Sequence, residues 1–132
     1  MDLKRLALAG LALWVGIFVE VSVLMFGFNL TGESYYISHY ILLAIICAIV
    51  AHFYFKNQKA SALEGLKAGF AMVVVGIVLD AIITVPFFVK DYSFFTTLPL
   101  LLGYLESIAM VAAVGWVKTH QSNSKRAIAL GA

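Results

Sequence analysis

The chain has 132 residues, of which 63% are hydrophobic and 12% charged, with a mean hydropathy of +0.99. Soluble domains hold about 45–50% apolar and about 25% charged residues, so this composition indicates one domain that resides in a lipid bilayer. The net charge of +2 is too small to indicate nucleic-acid binding, and the single cysteine, Cys47, excludes a paired-cysteine redox centre and a multi-cysteine zinc or iron–sulfur site.

Four segments are long and apolar enough to cross a membrane, since a spanning helix needs about 20 mainly apolar residues. Lys4 and Arg5 precede the first of them, but its apolar run exceeds the roughly 7–15 residues of a signal-peptide core, which predicts a retained helix. The connections are short, so neighbouring helices should be antiparallel. The sequence therefore predicts an all-α, integral membrane four-helix bundle with helices at about 6–28, 37–55, 62–89 and 94–117.

Local signals refine these limits. Residues 61–64, Ser-Ala-Leu-Glu, have the pattern of a capping box, which predicts that the third helix begins before the membrane. Pro86 predicts a kink near the far end of that helix. Thr96 or Thr97 is expected to cap the fourth helix, and residues 118–132 to form a polar, mobile cytoplasmic tail.

The basic residues predict the orientation of the bundle. Lysine and arginine are enriched on the cytoplasmic side of membrane proteins. One side carries eight of them, and the other carries only Lys90. This bias predicts a multi-pass protein of the cell membrane with both termini in the cytoplasm. The eight are Lys4, Arg5, Lys56, Lys59, Lys67, Lys118, Lys125 and Arg126.

Three carboxylates, Glu20, Asp80 and Glu106, lie inside the predicted spans, which contain no lysine or arginine. A charge at the bilayer centre costs about 2.5–3.5 kcal/mol on insertion scales, so each acid requires an explanation. At about 1.5 Å per residue, the acids lie roughly 22, 20 and 18 Å from the basic flanks of their helices. The sequence therefore predicts three acids at one depth.

Small residues at helical spacing accompany each acid, as is typical of helix–helix contacts in membranes. We therefore expect the three carboxylates to face inward and form a cluster. Like charges in a low dielectric cannot all stay ionised, so the cluster would bind protons or a cation. The small residues are Gly16 and Ala12 near Glu20, Gly76 near Asp80, and Gly103, Ala109 and Ala113 near Glu106.

His39, near the outer end of the second helix, is expected just above this cluster. Carboxylates with one imidazole suit a divalent ion or a protonated amine, so the sequence leaves the identity of any metal open. A bis-histidine haem is disfavoured because the spans offer only His39 and His52, on one helix, and no cofactor is expected. The predicted supporting groups are Ser22, Thr84, Tyr104 and Ser107.

The segment Val19-Glu20-Val21-Ser22, together with the size and the four helices, resembles the small multidrug-resistance transporters. In that family a glutamate in the first helix binds a proton or a cationic drug, so the resemblance implies such a role for Glu20. The likeness covers one helix only. The second-helix signature of the family is missing, and Asp80 and Glu106 have no place in its pattern.

Three functional hypotheses follow. The first is binding and transport of a proton, a cation or a small cationic molecule, and short helices that enclose little space favour a homodimer for it. The second is a non-catalytic subunit or assembly factor of a larger complex, and the third is a lipid- or quinone-acting enzyme. No nucleophile–base pair or nucleotide-binding loop supports the enzyme. Alternatively, neutral acids could simply link the helices by hydrogen bonds.

A weak internal repeat relates two of the helices. Residues 16–20, Gly-Ile-Phe-Val-Glu, are similar to residues 76–80, Gly-Ile-Val-Leu-Asp, at an offset of 60 residues. A duplicated hairpin would place its two copies around an axis along the membrane normal. Chance similarity between apolar segments is an equally good explanation.

Overall fold

The computed structural model describes residues 3–56 and 58–131, and within them every regular element is helical. Four helices are long and apolar enough to cross a membrane, as the sequence predicts. Helix α1 covers Leu3–Ser22 and continues as a π-helix over Val23–Gly27; α2 covers Gly32–Tyr54; α3 covers Ala62–Leu79 and continues as a π-helix over Asp80–Val89; a 3₁₀ turn covers Tyr92–Thr96; and α4 covers Leu98–Ala129.

The fourth helix differs from its predicted limits at both ends. It begins at Leu98 because the preceding residues form a 3₁₀ turn, which Asp91 caps by accepting a hydrogen bond from the Ser93 amide at 3.0 Å. That bond also lowers the pKa of Asp91. At its other end α4 continues through the predicted tail to Ala129, since no glycine or proline interrupts residues 118–130. Its 32 residues span about 48 Å, against about 30 Å of hydrocarbon.

The predicted caps have different outcomes. The Ser61 hydroxyl accepts a hydrogen bond from the Glu64 amide at 3.0 Å, so the N-cap of α3 is confirmed. Thr97 occupies the N-cap position of α4 but makes no side-chain cap bond, because its hydroxyl donates to the Phe94 carbonyl at 2.8 Å instead. Thr97 therefore stands at the predicted capping position, but its side chain does not bond to the first amides of α4.

At Pro86 the third helix is π-wound rather than merely kinked. In a π-helix each N–H bonds to the carbonyl five residues earlier, as Lys90 does to Val85. Proline has no N–H, so the carbonyl of Ala81 lacks its helical donor. The Tyr92 hydroxyl donates to that carbonyl at 3.3 Å. Tyr92, three residues beyond the π-helix, thus supplies a donor in place of the one that proline lacks.

The helices pack in the ring order α1, α2, α4, α3, each against the next and α3 against α1. Within the described residues, the diagonal pairs α1–α4 and α2–α3 do not pack substantially. A two-fold axis along the bundle would exchange diagonal helices, whereas α1 and α3, which carry the similar segments, are neighbours. The order of the helices therefore gives no support to a two-fold repeat.

The end of the bundle that holds Arg5, Lys56 and Ser61 is called here the basic end. There, Arg5 at the start of α1 donates to three carbonyls at the end of α2: Nε to Tyr54 at 2.9 Å, and Nη2 to Phe53 at 2.6 Å and Lys56 at 2.7 Å. The last carbonyls of a helix have no partner within it and carry partial negative charge. Arg5 therefore caps α2 and joins it to α1.

Glycines bring α3 and α4 close together near the basic end. A Cβ on Gly65 would lie 2.7 Å from Ala112 Cα and from the Val111 carbonyl oxygen, and one on Gly69 would lie 3.0 Å from Ile108 Cα. Contacts this close to backbone leave no space for a side chain. The buried apolar core adjoins this crossing and includes Leu43, Met72, Val111 and Cys47, whose side chain is fully buried.

The Arg5 cap is testable by Arg5→Ala, which removes all three bonds to the end of α2. Hydrogen bonds from a charged group contribute about 1.5–3 kcal/mol each when buried, and these are partly exposed, so we expect a loss of about 1–2 kcal/mol in unfolding free energy. The measurement is thermal unfolding in detergent. Lys4→Ala, which removes the adjacent exposed charge, is the control, and equal effects of the two substitutions would contradict the capping role.

The glycine contact is testable by Gly65→Ala, whose new methyl group would push the α4 backbone away. Overpacking of this kind costs about 1–3 kcal/mol. Gly76→Ala is the matched control on the same helix, because a Cβ there meets nothing within 4 Å. Unfolding temperatures should fall for Gly65→Ala only; a similar fall for both would show that space at the crossing is not the cause.

Candidate functional site

A cavity of about 1020 Å³ lies between the four helices, in the half of the bundle away from the basic end. All four helices contribute to its wall, which is mainly apolar and aromatic. Pockets that bind small molecules commonly have this character, with a few polar groups to fix orientation. The polar residues of the wall include Trp14, His39, Asp80, Thr84 and Tyr104.

The carboxylate of Asp80 accepts three hydrogen bonds on this wall. Oδ1 accepts from Trp14 Nε1 at 2.8 Å and from the Thr84 hydroxyl at 2.7 Å, and Oδ2 accepts from the Tyr104 hydroxyl at 2.7 Å. An indole N–H can only donate, so Oδ1 is an acceptor in its bond with Trp14. Three neutral groups from this wall therefore surround the Asp80 carboxylate.

These bonds join three helices at one point. Trp14 belongs to α1, Asp80 and Thr84 belong to the π-wound end of α3, and Tyr104 belongs to α4. Thr84 and Tyr104, two of the predicted supporting groups, both bond to Asp80, whereas Trp14 was not predicted. The signal available for Trp14 was its place inside a span, where a donor-only side chain needs an acceptor.

Glu20 has a different partner. His39 Nδ1 lies 2.9 Å from Oε2 and 3.2 Å from Oε1 of Glu20, which is only 8% exposed. The imidazole also stacks on Tyr35, with ring centroids 5.6 Å apart and planes at 3°. His39 lines the cavity, and Glu20 is not among its lining residues.

Glu106 makes no hydrogen bond with either group, although its charge is near enough to interact with His39. Its Oε2 atom is buried and has no hydrogen-bond partner among the described residues. Gly103 on α4 lies against Leu43 on α2. Three residues further along each of these helices, Glu106 is therefore level with Ile46, whose side chain faces Gly16 on α1. Gly16 precedes Glu20 by four residues, so the two glutamates lie about 6 Å apart along the bundle axis.

The three carboxylates of the predicted cluster therefore differ in their hydrogen-bond partners. Among the residues described, no three His, Cys, Asp or Glu side chains are placed to hold a metal ion. Ser22 and Ser107 line the cavity, but their hydroxyls donate to carbonyls of their own helices, Phe18 at 2.8 Å and Gly103 at 2.9 Å. Neither serine bonds to a carboxylate.

The predicted small-residue faces are only partly correct. Ala12, Ala109 and Ala113 are exposed, so they do not mark packing faces. On α4 the buried residues recur every four positions, at Gly103, Ser107, Val111 and Gly115, and Glu106 lies one position beside that line. On α1 the closest approach is at Gly10, where a Cβ would lie 2.8 Å from Val75 Cβ.

No protein-family model, curated protein or solved structure matches this chain. Membership of the small multidrug-resistance transporters is thus not shown. The nature of any ligand must be inferred from the chemistry of the cavity wall.

The environment of Glu106 predicts that this residue does not hold the bundle together. Because Oε2 has no partner, Glu106→Gln removes no hydrogen bond through that atom, and the unfolding temperature should stay the same or rise. Asp80→Asn, in contrast, weakens the acceptor of three bonds and should lower it. A clear fall with Glu106→Gln, measured by thermal unfolding in detergent, would indicate a structural role for that carboxylate instead.

Proposed function

We propose that this multi-pass membrane protein binds a small organic cation in the cavity between its helices and carries it across the membrane. Asp80 is the counter-ion in this proposal. One observation carries it: the Asp80 carboxylate lies on the wall of an apolar cavity, and its three partners are all neutral donors.

The electrostatics explain why such a carboxylate attracts a cation. Hydrogen bonds from Trp14, Thr84 and Tyr104 stabilise the anion but do not neutralise it. No lysine or arginine is among the residues that line the cavity. In a low dielectric an unneutralised charge is costly, so a cation that enters the cavity is bound by an attraction that water would largely screen.

The cavity wall favours an organic cation over a bare metal ion. A metal needs several oxygen or nitrogen ligands, and the described residues offer no such group. Aromatic rings attract organic cations through the negative faces of their π systems. Trp14, Phe18, Phe88 and Tyr104 supply such rings on this wall, and the Trp14 and Phe18 centroids are 5.2 Å apart.

We further propose that helices consecutive in the chain are antiparallel and that both termini face the cytoplasm at the cell membrane. Two contacts support this: Arg5 near the start of α1 bonds to Tyr54 at the end of α2, and Gly115 in the second half of α4 lies against Ser61 at the start of α3. The basic side of the sequence then coincides with the basic end of the bundle. The cavity lies within one chain, and the homodimer stays a prediction.

The test is binding of tetraphenylphosphonium, a permanently charged aromatic cation, to purified protein in detergent by equilibrium dialysis. Wild type should bind it, and Asp80→Asn should weaken binding at least tenfold because the counter-ion is lost. Glu64→Gln, an acid on the same helix but outside the cavity, should bind like wild type. The same variants in liposomes should show matching changes in uptake of the cation.

Failure of this proposal has a clear signature. If wild type does not bind the cation, or if Asp80→Asn and Glu64→Gln bind it equally well, Asp80 is not its counter-ion. Circular dichroism of each variant establishes that the helices are intact, so that lost binding is not mistaken for lost structure.

A further inference from the structure

The Glu20–His39 pair is left unused by the Asp80 site, although it adjoins the same cavity. None of the three partners of Asp80 belongs to the pair, and Glu20 is buried in contact with the imidazole. Among the described residues, His39 is the one histidine that lines the cavity. The pair is therefore a titratable group at the edge of the cation-binding space.

We propose that His39, backed by Glu20, is a proton site linked to the cation site, so that a cation bound at Asp80 displaces one proton from the imidazole. This inference rests on the proposed function and adds proton exchange to it. The step breaks an N–H bond of the imidazolium and gives the proton to water, with no oxidant, reductant or covalent intermediate.

The linkage follows from geometry and charge. Imidazole is the side chain that ordinarily changes charge near neutral pH, and the Glu20 carboxylate lies 2.9 Å from the His39 Nδ1 atom. With His39 protonated, its charge offsets that of Glu20, and the imidazolium at the wall repels a cation in the cavity. With His39 neutral, both carboxylates attract the cation. Each ligand thus weakens the other by the same factor.

Several other titratable groups surround His39, and each could in principle make cation binding depend on pH. On α2 the rings of Tyr35 and Tyr40 contact the imidazole, but tyrosine ordinarily titrates near pH 10. On α1 the facing group is Glu20. On α4 Glu106 is near enough for its charge to interact with His39, and on α3 Asp80 belongs to the same cavity wall. Glu106 is therefore the principal competing explanation.

The experiment measures tetraphenylphosphonium affinity between about pH 5 and pH 8, the range in which imidazole titrates. The probe itself does not titrate, so any dependence belongs to the protein. Wild-type affinity should rise with pH, by up to tenfold per unit on the acid side, and level off once His39 is neutral. Binding in a weakly buffered solution should release about one proton per cation on the acid side of that curve.

The variants separate the pair from its neighbours. His39→Gln should bind with an affinity that no longer depends on pH and should release no proton. Glu20→Gln should alter the curve, because the imidazole loses its carboxylate partner. His52→Gln, an exposed histidine near the other end of the same helix, should leave the curve unchanged.

Each alternative outcome has a definite meaning. Binding without pH dependence in wild type, or dependence that survives His39→Gln, overturns the proton site and leaves the Asp80 proposal intact. A curve flattened by Glu106→Gln but not by His39→Gln assigns the proton to Glu106 and also overturns the inference. Absence of binding at every pH overturns the proposed function and the proton site together.

Discussion

The hydrogen bonds to Asp80 are the interaction on which the cavity depends. A carboxylate in a membrane span is costly unless donors surround it, and here one donor comes from α1, one from α3 and one from α4. The same bonds offset the cost of placing this polar group in the span, and they join three helices around the cavity. At the basic end, in contrast, Gly65 and Gly69 bring α3 directly against α4.

Much of the fold is readable from the sequence because hydropathy and capping are local properties. The four spans, the Ser61 cap and the importance of Pro86 follow from runs of residues and their chemistry. The π-wound ends of α1 and α3 do not, because their hydrogen-bond pattern depends on packing between helices. The continuation of α4 to Ala129 was missed because polar composition was given more weight than the absence of helix breakers.

The sequence singles out the polar residues in the spans, but it does not show which of them bond to one another. The cost of burying a charge draws attention to Glu20, Asp80 and Glu106, with His39 expected above them. Their hydrogen-bond partners depend on how each helix is rotated about its axis, which stripes of small residues indicate poorly, since Ala109 and Ala113 are exposed. Trp14 was not predicted because an aromatic residue in a span usually serves only in apolar packing. Its N–H becomes important only where an acceptor such as Asp80 lies beside it.

Cys47 has a practical consequence that goes beyond its place in the core. It is the only thiol in the chain, and its side chain is fully buried between α2 and α4. Reagents that modify accessible thiols should therefore leave the unaltered protein unlabelled. Cysteines introduced one at a time along the cavity wall can then be labelled without interference from Cys47. The positions that react would show where water enters the bundle.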